Sequence, residues 1–211
     1  MRKKLKRFKD IVVTVLLWIP ALCFFIPFGL MLLFLSIFIN SKYFDPVIKA
    51  GCRIVMRLLC IRIRVEGLEN FRKDKTYLFM ANHVNIFDGI ILYGFIPNYV
   101  RGVELDKHFD WFFWGAILRR LDMIPISRTN ARSAMKSLDK AKQSIAEGTS
   151  ILILPEGTRT LTGEIGTFKR GPFLLAKGAE ADIVPMAMIG ASGRVPIVSR
   201  SSITCIGLLP W

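Results

Sequence analysis

Two kinds of hydrophobic pattern divide the chain. Residues 11–39 are almost unbroken apolar side chains, with Thr14 and Ser36 the only clearly polar ones. From residue 61 onward, short apolar runs alternate with stretches of helical period. Residues 61–65 alternate apolar and basic, as a half-exposed strand does. Residues 77–81 and 151–154 are apolar on successive positions, the mark of strands covered on both faces. Residues 87–94 and 111–121 read as helices, and 99–104 and 123–126 as shorter strands. The clearest helix covers 130–147, where Ala134, Leu138, Ala141 and Ile145 recur at intervals of four and three and Gly148 ends the run. Residues 183–187 form a strand whose Pro185 predicts an edge or a bulge, and a last strand covers 203–207. The alternation predicts an α/β fold, a largely parallel mixed sheet flanked by helices.

The apolar run is a membrane anchor by length. As one straight helix, 11–39 would extend about 43 Å at about 1.5 Å per residue. That exceeds a hydrocarbon core of about 30 Å and falls short of two crossings. Pro20 and Pro27 each remove a backbone donor and invite a break. The run suits one tilted, kinked span or, better, two short helices that enter and leave the same leaflet. The second arrangement fits the flanks, because Arg2, Lys3, Lys4, Lys6, Arg7 and Lys9 precede the run and Lys42, Lys49, Arg53, Arg57, Arg62 and Arg64 follow it. Positive residues favour the cytoplasmic side, and both flanks are positive. The expected division is therefore an uncleaved anchor over 1–42, by this reasoning a two-helix re-entrant motif, and a globular domain over 43–211. The protein would sit at the cell membrane, monotopic or single-span, with its site on the cytoplasmic side.

Charge agrees with that placement. A net charge of +14 calls for an anionic partner. The basic cluster abuts the apolar run, which favours a membrane surface over nucleic acid, and no nucleic-acid-binding signature is visible. A helix beginning near Asp45 as N-cap with Pro46 in first position carries Val47, Ile48, Gly51, Ile54, Val55, Leu58 and Leu59 on one stripe. Lys49, Arg53 and Arg57 step along another face, so the helix suits either the headgroup level or packing on the core. Cys23, Cys52, Cys60 and Cys205 lack paired spacing and read as buried free thiols. No ligand cluster suggests a metal, and no cofactor is expected.

Chemistry concentrates in two turns. His83 lies in Asn82-His83-Val84-Asn85-Ile86-Phe87-Asp88, directly after the apolar run 77–81. Five residues advance a helix by roughly 500°, so His83 and Asp88 meet only where the chain turns between strand and helix. An imidazole oriented by a carboxylate is the equipment of a general base. The second turn is Pro155-Glu156-Gly157-Thr158-Arg159, directly after the apolar strand 151–154. Both turns follow strands, so parallel strands would put them on one rim, where ligands of open α/β sheets bind. Arg159 offers a planar fork of donors suited to phosphate, and Gly157 and Thr158 permit close approach. Arg128, ending a third strand, adds positive charge to that rim. Trp111, Phe112, Phe113 and Trp114 fit an acyl groove, the membrane interface or the core equally. His108 reads as part of a polar surface turn.

These blocks together resemble the 1-acylglycerol-3-phosphate acyltransferase family. His83 and Asp88 match its first motif, Gly115 with Ile126-Ser127-Arg128 its second, Pro155-Glu156-Gly157-Thr158-Arg159 its third, and Ile183-Val184-Pro185-Met186 its fourth. The resemblance implies a glycerol-3-phosphate acyltransferase-like fold and a membrane enzyme of phospholipid biosynthesis. Its acceptor would be a lysophospholipid and its donor acyl-CoA or acyl-acyl-carrier protein. It further implies His83 and Asp88 as catalytic residues, with Arg128, Glu156, Gly157, Thr158 and Arg159 binding substrate. Glu156, an awkward phosphate ligand, is expected to orient Arg159 or another donor. A phosphate-binding cation between the first two motifs would be Lys107 or Arg101. Many relatives continue further, so elements covering the acyl tunnel are expected to be absent or compressed. The alternatives are another acceptor, such as a lyso-aminolipid, and a catalytically silent membrane lipid-binding protein.

Overall fold

A computed structural model describes residues 2–70, 72, 74–160, 162–190 and 202–207. Seven strands form one sheet in the order β1-β7-β6-β2-β5-β3-β4. They are β1 (Arg62–Glu66), β2 (Leu78–Ala81), β3 (Val100–Leu105), β4 (Ile124–Ile126), β5 (Ser150–Ile153), β6 (Ile183–Ile189) and β7 (Ser202–Gly207). The five strands from β6 to β4 are mutually parallel. β7 runs against β6, and β1 runs parallel to β7. The sheet is thus largely parallel and mixed. Helices α3 (Asp88–Phe95), α4 (Phe112–Arg120), α5 (Ala131–Ala146) and α6 (Arg170–Gly178) connect the parallel strands.

β2 and β5 are buried at every position, which explains their unalternating apolar sequences. Pro185 lies in an inner strand, not at an edge. It faces Met80 of β2, and pairing with β7 begins only at Met186, so the ladder tolerates its missing N–H. Asn130 caps α5 by accepting the Ser133 N–H at 2.9 Å. α6 has no counterpart among the expected elements, because its short sequence shows little helical periodicity.

The N-terminal run departs from expectation. It forms one continuous helix, α1 (Arg2–Phe38), with both prolines inside it, where two short helices were expected. Each proline deletes a single donor from a long ladder. Packing supplies the rest: Trp18, Phe24, Phe25, Phe28, Leu33 and Leu35 lie against the main apolar cluster, which includes buried Ala21 and Leu32. Its other face carries exposed Ile11, Val15, Ile19, Leu22, Ile26, Leu30, Phe34 and Ile37.

Helix α2 (Ser41–Leu58) starts earlier than expected. Asn40 is its cap, accepting the Lys42 N–H at 3.0 Å, and Pro46 falls inside the helix. Asp45 is instead a buried partner: it pairs with Lys49 at 2.6 Å and accepts the Tyr93 hydroxyl at 2.7 Å. Lys49, expected on an open basic face, also donates to the Asn98 carbonyl at 2.7 Å. Arg53 donates to the Gly94 carbonyl at 2.7 Å. Two members of the basic row therefore fasten α2 to α3 and to the loop that follows it. Removing one partner of such a buried pair typically costs about 3–5 kcal/mol. On the opposite side, a side chain at Gly51 would strike the Phe28 ring, so this glycine allows α1 and α2 to touch. Cys23 and Cys60 are exposed and Cys52 is half-buried, contrary to the buried thiols expected; the Cys205 side chain lies outside the described residues.

Candidate active site

β2 and β5 are neighbours in register, Phe79 beside Leu152 and Met80 beside Ile153. The turns that leave their carboxyl ends therefore meet. The His83 N–H donates to Glu156 Oε1 at 2.7 Å, and the His83 carbonyl accepts the Thr160 N–H at 2.9 Å. On the other side of β2, the Asn82 amide imitates a strand, accepting the Met188 N–H at 2.6 Å and donating to the Met188 carbonyl at 3.1 Å. Asn82 and His83 are thus held by β6 on one side and by the loop after β5 on the other.

Asp88 is fully buried and begins α3, while the His83 side chain is 18% exposed. Asp88 Oδ2 accepts from His83 Nδ1 at 2.7 Å, the Val84 N–H at 2.7 Å and the Asn85 N–H at 2.8 Å. The carboxylate fixes the proton on Nδ1, which leaves the lone pair on Nε2. Hydrogen bonds to a charged acceptor hold the turn more tightly than neutral ones would. Trp18 of α1 packs on Phe87 beside this turn, their ring centroids 5.9 Å apart.

The loop after β5 is built around Glu156, which is 3% exposed. Its second oxygen accepts the Gly166 N–H at 2.8 Å. Glu156 therefore braces two backbone segments, and no ion pair joins it to Arg159 among the described residues. Gly157 takes φ +68°, the left-handed region that favours glycine. The neighbouring Thr158 and Arg159 are exposed, and Arg159 makes no ion pair among the described residues. Arg128 is also exposed and follows β4, two strands from β5. At about 4.8 Å per strand, its anchor point lies roughly 10 Å from that of the Glu156 loop. Arg128 and Arg159 thus flank one rim without touching. Gly115 has a steric reason: a side chain there would run into the Phe109 carbonyl.

This arrangement can take a proton at His83 Nε2 and present guanidinium groups to an anion nearby. No group of His, Cys, Asp and Glu among the described residues is arranged to hold a metal ion. The acyltransferase family model matches residues 62–189, more than half of the chain, and contains every one of these side chains. The chain belongs to the acyltransferase family. Among curated acyltransferases, it is 32% identical over 161 residues to a probable 1-acyl-sn-glycerol-3-phosphate acyltransferase of Mycoplasma pneumoniae, covering 69% of this chain and 59% of that protein. It is also 32% identical over 146 residues to the 1-acyl-sn-glycerol-3-phosphate acyltransferase of Pseudomonas aeruginosa, covering 67% and 56%. The chain thus spans little more than half the length of these relatives. The crystal structure of the 1-acyl-sn-glycerophosphate (LPA) acyltransferase PlsC from Thermotoga maritima shares the fold. Its TM-score is 0.80 at 20% identity, covering 96% of this chain and 85% of that one.

Other residues of this family member fall differently from the sequence reading. Arg101 is engaged away from the rim, donating to Ser144 Oγ at 3.0 Å and pairing with Asp122 at 3.3 Å. Lys107 remains exposed at the carboxyl end of β3. His108 stands on that same rim, its Nδ1 2.7 Å from Glu104 Oε1 and its ring 4.7 Å from Trp111. The four-residue spacing of Glu104 and His108 was the available signal, hidden because it spans the end of a strand. Of the aromatic run, Phe113 and Trp114 pack on Phe25 of α1, whereas Trp111 is 55% and Phe112 96% exposed.

Proposed function

We propose that the chain transfers an acyl group from acyl-CoA or acyl-acyl-carrier protein to the free hydroxyl of 1-acyl-glycerol 3-phosphate, giving phosphatidate. The observation that carries this reading is the buried Asp88 carboxylate on Nδ1 of His83, with Nε2 left for substrate. His83 removes the acceptor hydroxyl proton as the oxygen bonds to the thioester carbonyl carbon. The carbon–sulfur bond then breaks, and the thiolate leaves with the proton returned from the imidazolium. Asp88 keeps the tautomer and stabilises the imidazolium, as the acid of a serine-hydrolase triad does. The acceptor alcohol stands in for the serine, so no covalent enzyme intermediate forms. Arg128, Thr158, Arg159 and the Gly157 turn hold the acceptor phosphate, and Glu156 acts by shaping both loops.

The same reading places the protein at the cell membrane with its site facing the cytoplasm. α1 is long and apolar enough to cross a bilayer. Yet its contacts with the domain run from Trp18 to Leu35, a length of about 26 Å. A domain pressed along that much of a helix favours a monotopic arrangement, with α1 lying in one leaflet. Acceptor and product, both lipids, then reach the rim without leaving the membrane.

The test is a His83→Ala variant assayed with labelled acyl-CoA and acyl-acyl-carrier protein over defined lysolipids, with products identified by mass spectrometry. Its rate is expected to fall by about 10²–10⁴-fold. Undiminished transfer would remove His83 as the base. A wild-type preference for a lyso-aminolipid would replace the acceptor, and no transfer at all would leave a lipid-binding role.

A further inference from the structure

A second concentration of positive charge lies away from the rim, where α2, the end of α3 and edge strand β1 come together. They line a cavity of about 260 Å³ that opens to solvent, many times the roughly 30 Å³ share of one water molecule. Its walls are of two kinds. Met56, Ile61, Ile63 and Phe95 supply apolar surface, and Arg53, Arg57 and Arg62 supply guanidinium groups. Arg53 is preset: its Nε is fixed on the Gly94 carbonyl and its guanidinium lies over the Phe95 ring, 5.6 Å from the centroid. Arg57 and Arg62 are exposed and make no ion pair among the described residues. The carboxylates close by are taken, Asp45 by Lys49 and Glu66 by Arg64 at 2.8 Å.

The cavity adjoins an exposed apolar surface. On α2, Tyr43, Val47 and Ile54 are exposed at helical spacing, and α2 touches the apolar helix α1 at Gly51 and Phe28. An apolar face bordered by unpaired arginines around an apolar-floored cavity has the layout of the bilayer's own boundary. We propose that the Arg53–Arg57–Arg62 cavity binds the phosphate headgroup of an anionic bilayer phospholipid, separately from the acceptor site. The guanidinium forks take the phosphate oxygens, and the glycerol and first carbons rest on Ile61, Ile63 and Phe95. This rests on the membrane-facing reading of α1 and α2, and it gives the enzyme a preference for anionic membranes that the catalytic rim does not supply.

The full chain in phosphatidylcholine nanodiscs, probed by electron spin resonance with trace spin-labelled phosphatidylglycerol or phosphatidylcholine, tests this. Wild type should immobilise the anionic probe preferentially. Arg57→Gln with Arg62→Gln should lower that relative association by about 30-fold, two surface charges' worth. Arg57→Lys with Arg62→Lys should keep much of it, and His83→Ala all of it. Equal preference in the double glutamine variant overturns the proposal. So does loss of preference in His83→Ala, which would assign the lipid to the catalytic rim. Displacement of the probe by inorganic phosphate would replace the lipid with a soluble anion. Failure of wild type to enter nanodiscs overturns both this site and the membrane reading, whereas entry without anionic preference overturns this site alone.

Discussion

Glu156 shows how a residue inside a recognisable motif can be engaged by the backbone of two separate segments. Both its oxygens accept backbone N–H groups, from His83 and from Gly166. Glu156→Gln keeps the size but turns one oxygen into a donor that faces another donor. Losing one hydrogen bond to a charged acceptor costs about 1.5–3 kcal/mol. The variant is expected to melt at lower temperature and to lose kcat with little change in KM for the phosphate-bearing acceptor. A rise in KM alone, with unchanged melting, would instead make Glu156 a substrate ligand. The turn sequences showed where His83, Asp88 and Glu156 would lie, because apolar runs ending in Gly- and Asp-bearing turns mark strand ends. They did not show what Glu156 does, since its partners are backbone groups 10 and 73 residues away.

Between elements, the α2–α3 contact was the least legible part of the fold. A Lys-Arg-Arg row at four-residue spacing looks the same whether it meets water or a neighbouring helix. Asp45-Pro46 imitates a helix start, yet Asn40 caps the helix and Asp45 goes inside. Burial, and then the Asp45 carboxylate, hold the Tyr93 hydroxyl well above its ordinary value near 10. The neutral phenol belongs to the folded state, so this contribution is intact below about pH 10. It is lost as pH rises beyond that, because the unfolded chain ionises first. Stability measured by denaturant melts should therefore fall above pH 10. Tyr93→Phe should flatten that alkaline limb, and ultraviolet titration of the native protein should show one tyrosine that ionises only on unfolding.

At the scale of the whole molecule, the apolar helix α1 is part of the domain. Hydrophobic periodicity identified α1 as apolar but could not reveal that one side of it completes the globular core, because every face of the helix is apolar. Continuity through Pro20 and Pro27 has the same origin, in packing invisible to local sequence. Deleting residues 2–38 would uncover apolar surfaces of α2 and α4, including the face beside Phe113 and Trp114. Such a truncated chain is expected to aggregate or to melt far below the intact protein in the same detergent. Deleting only residues 2–9 should leave melting nearly unchanged. A soluble, cooperatively folded product of the longer deletion would show that α1 is a detachable tether.

Five amides in the turn from His83 to Asp88 are already occupied. Residue 83 gives its N–H to Glu156, residues 84 and 85 give theirs to Asp88, and residues 87 and 88 bond back to Asn85. The main chain at these positions has no donor to spare for the negative oxygen of a collapsing tetrahedral centre. Under the proposed reaction that charge would be met from outside these five amides, so a variant that weakens the oxyanion's donors can leave the His83–Asp88 pair intact.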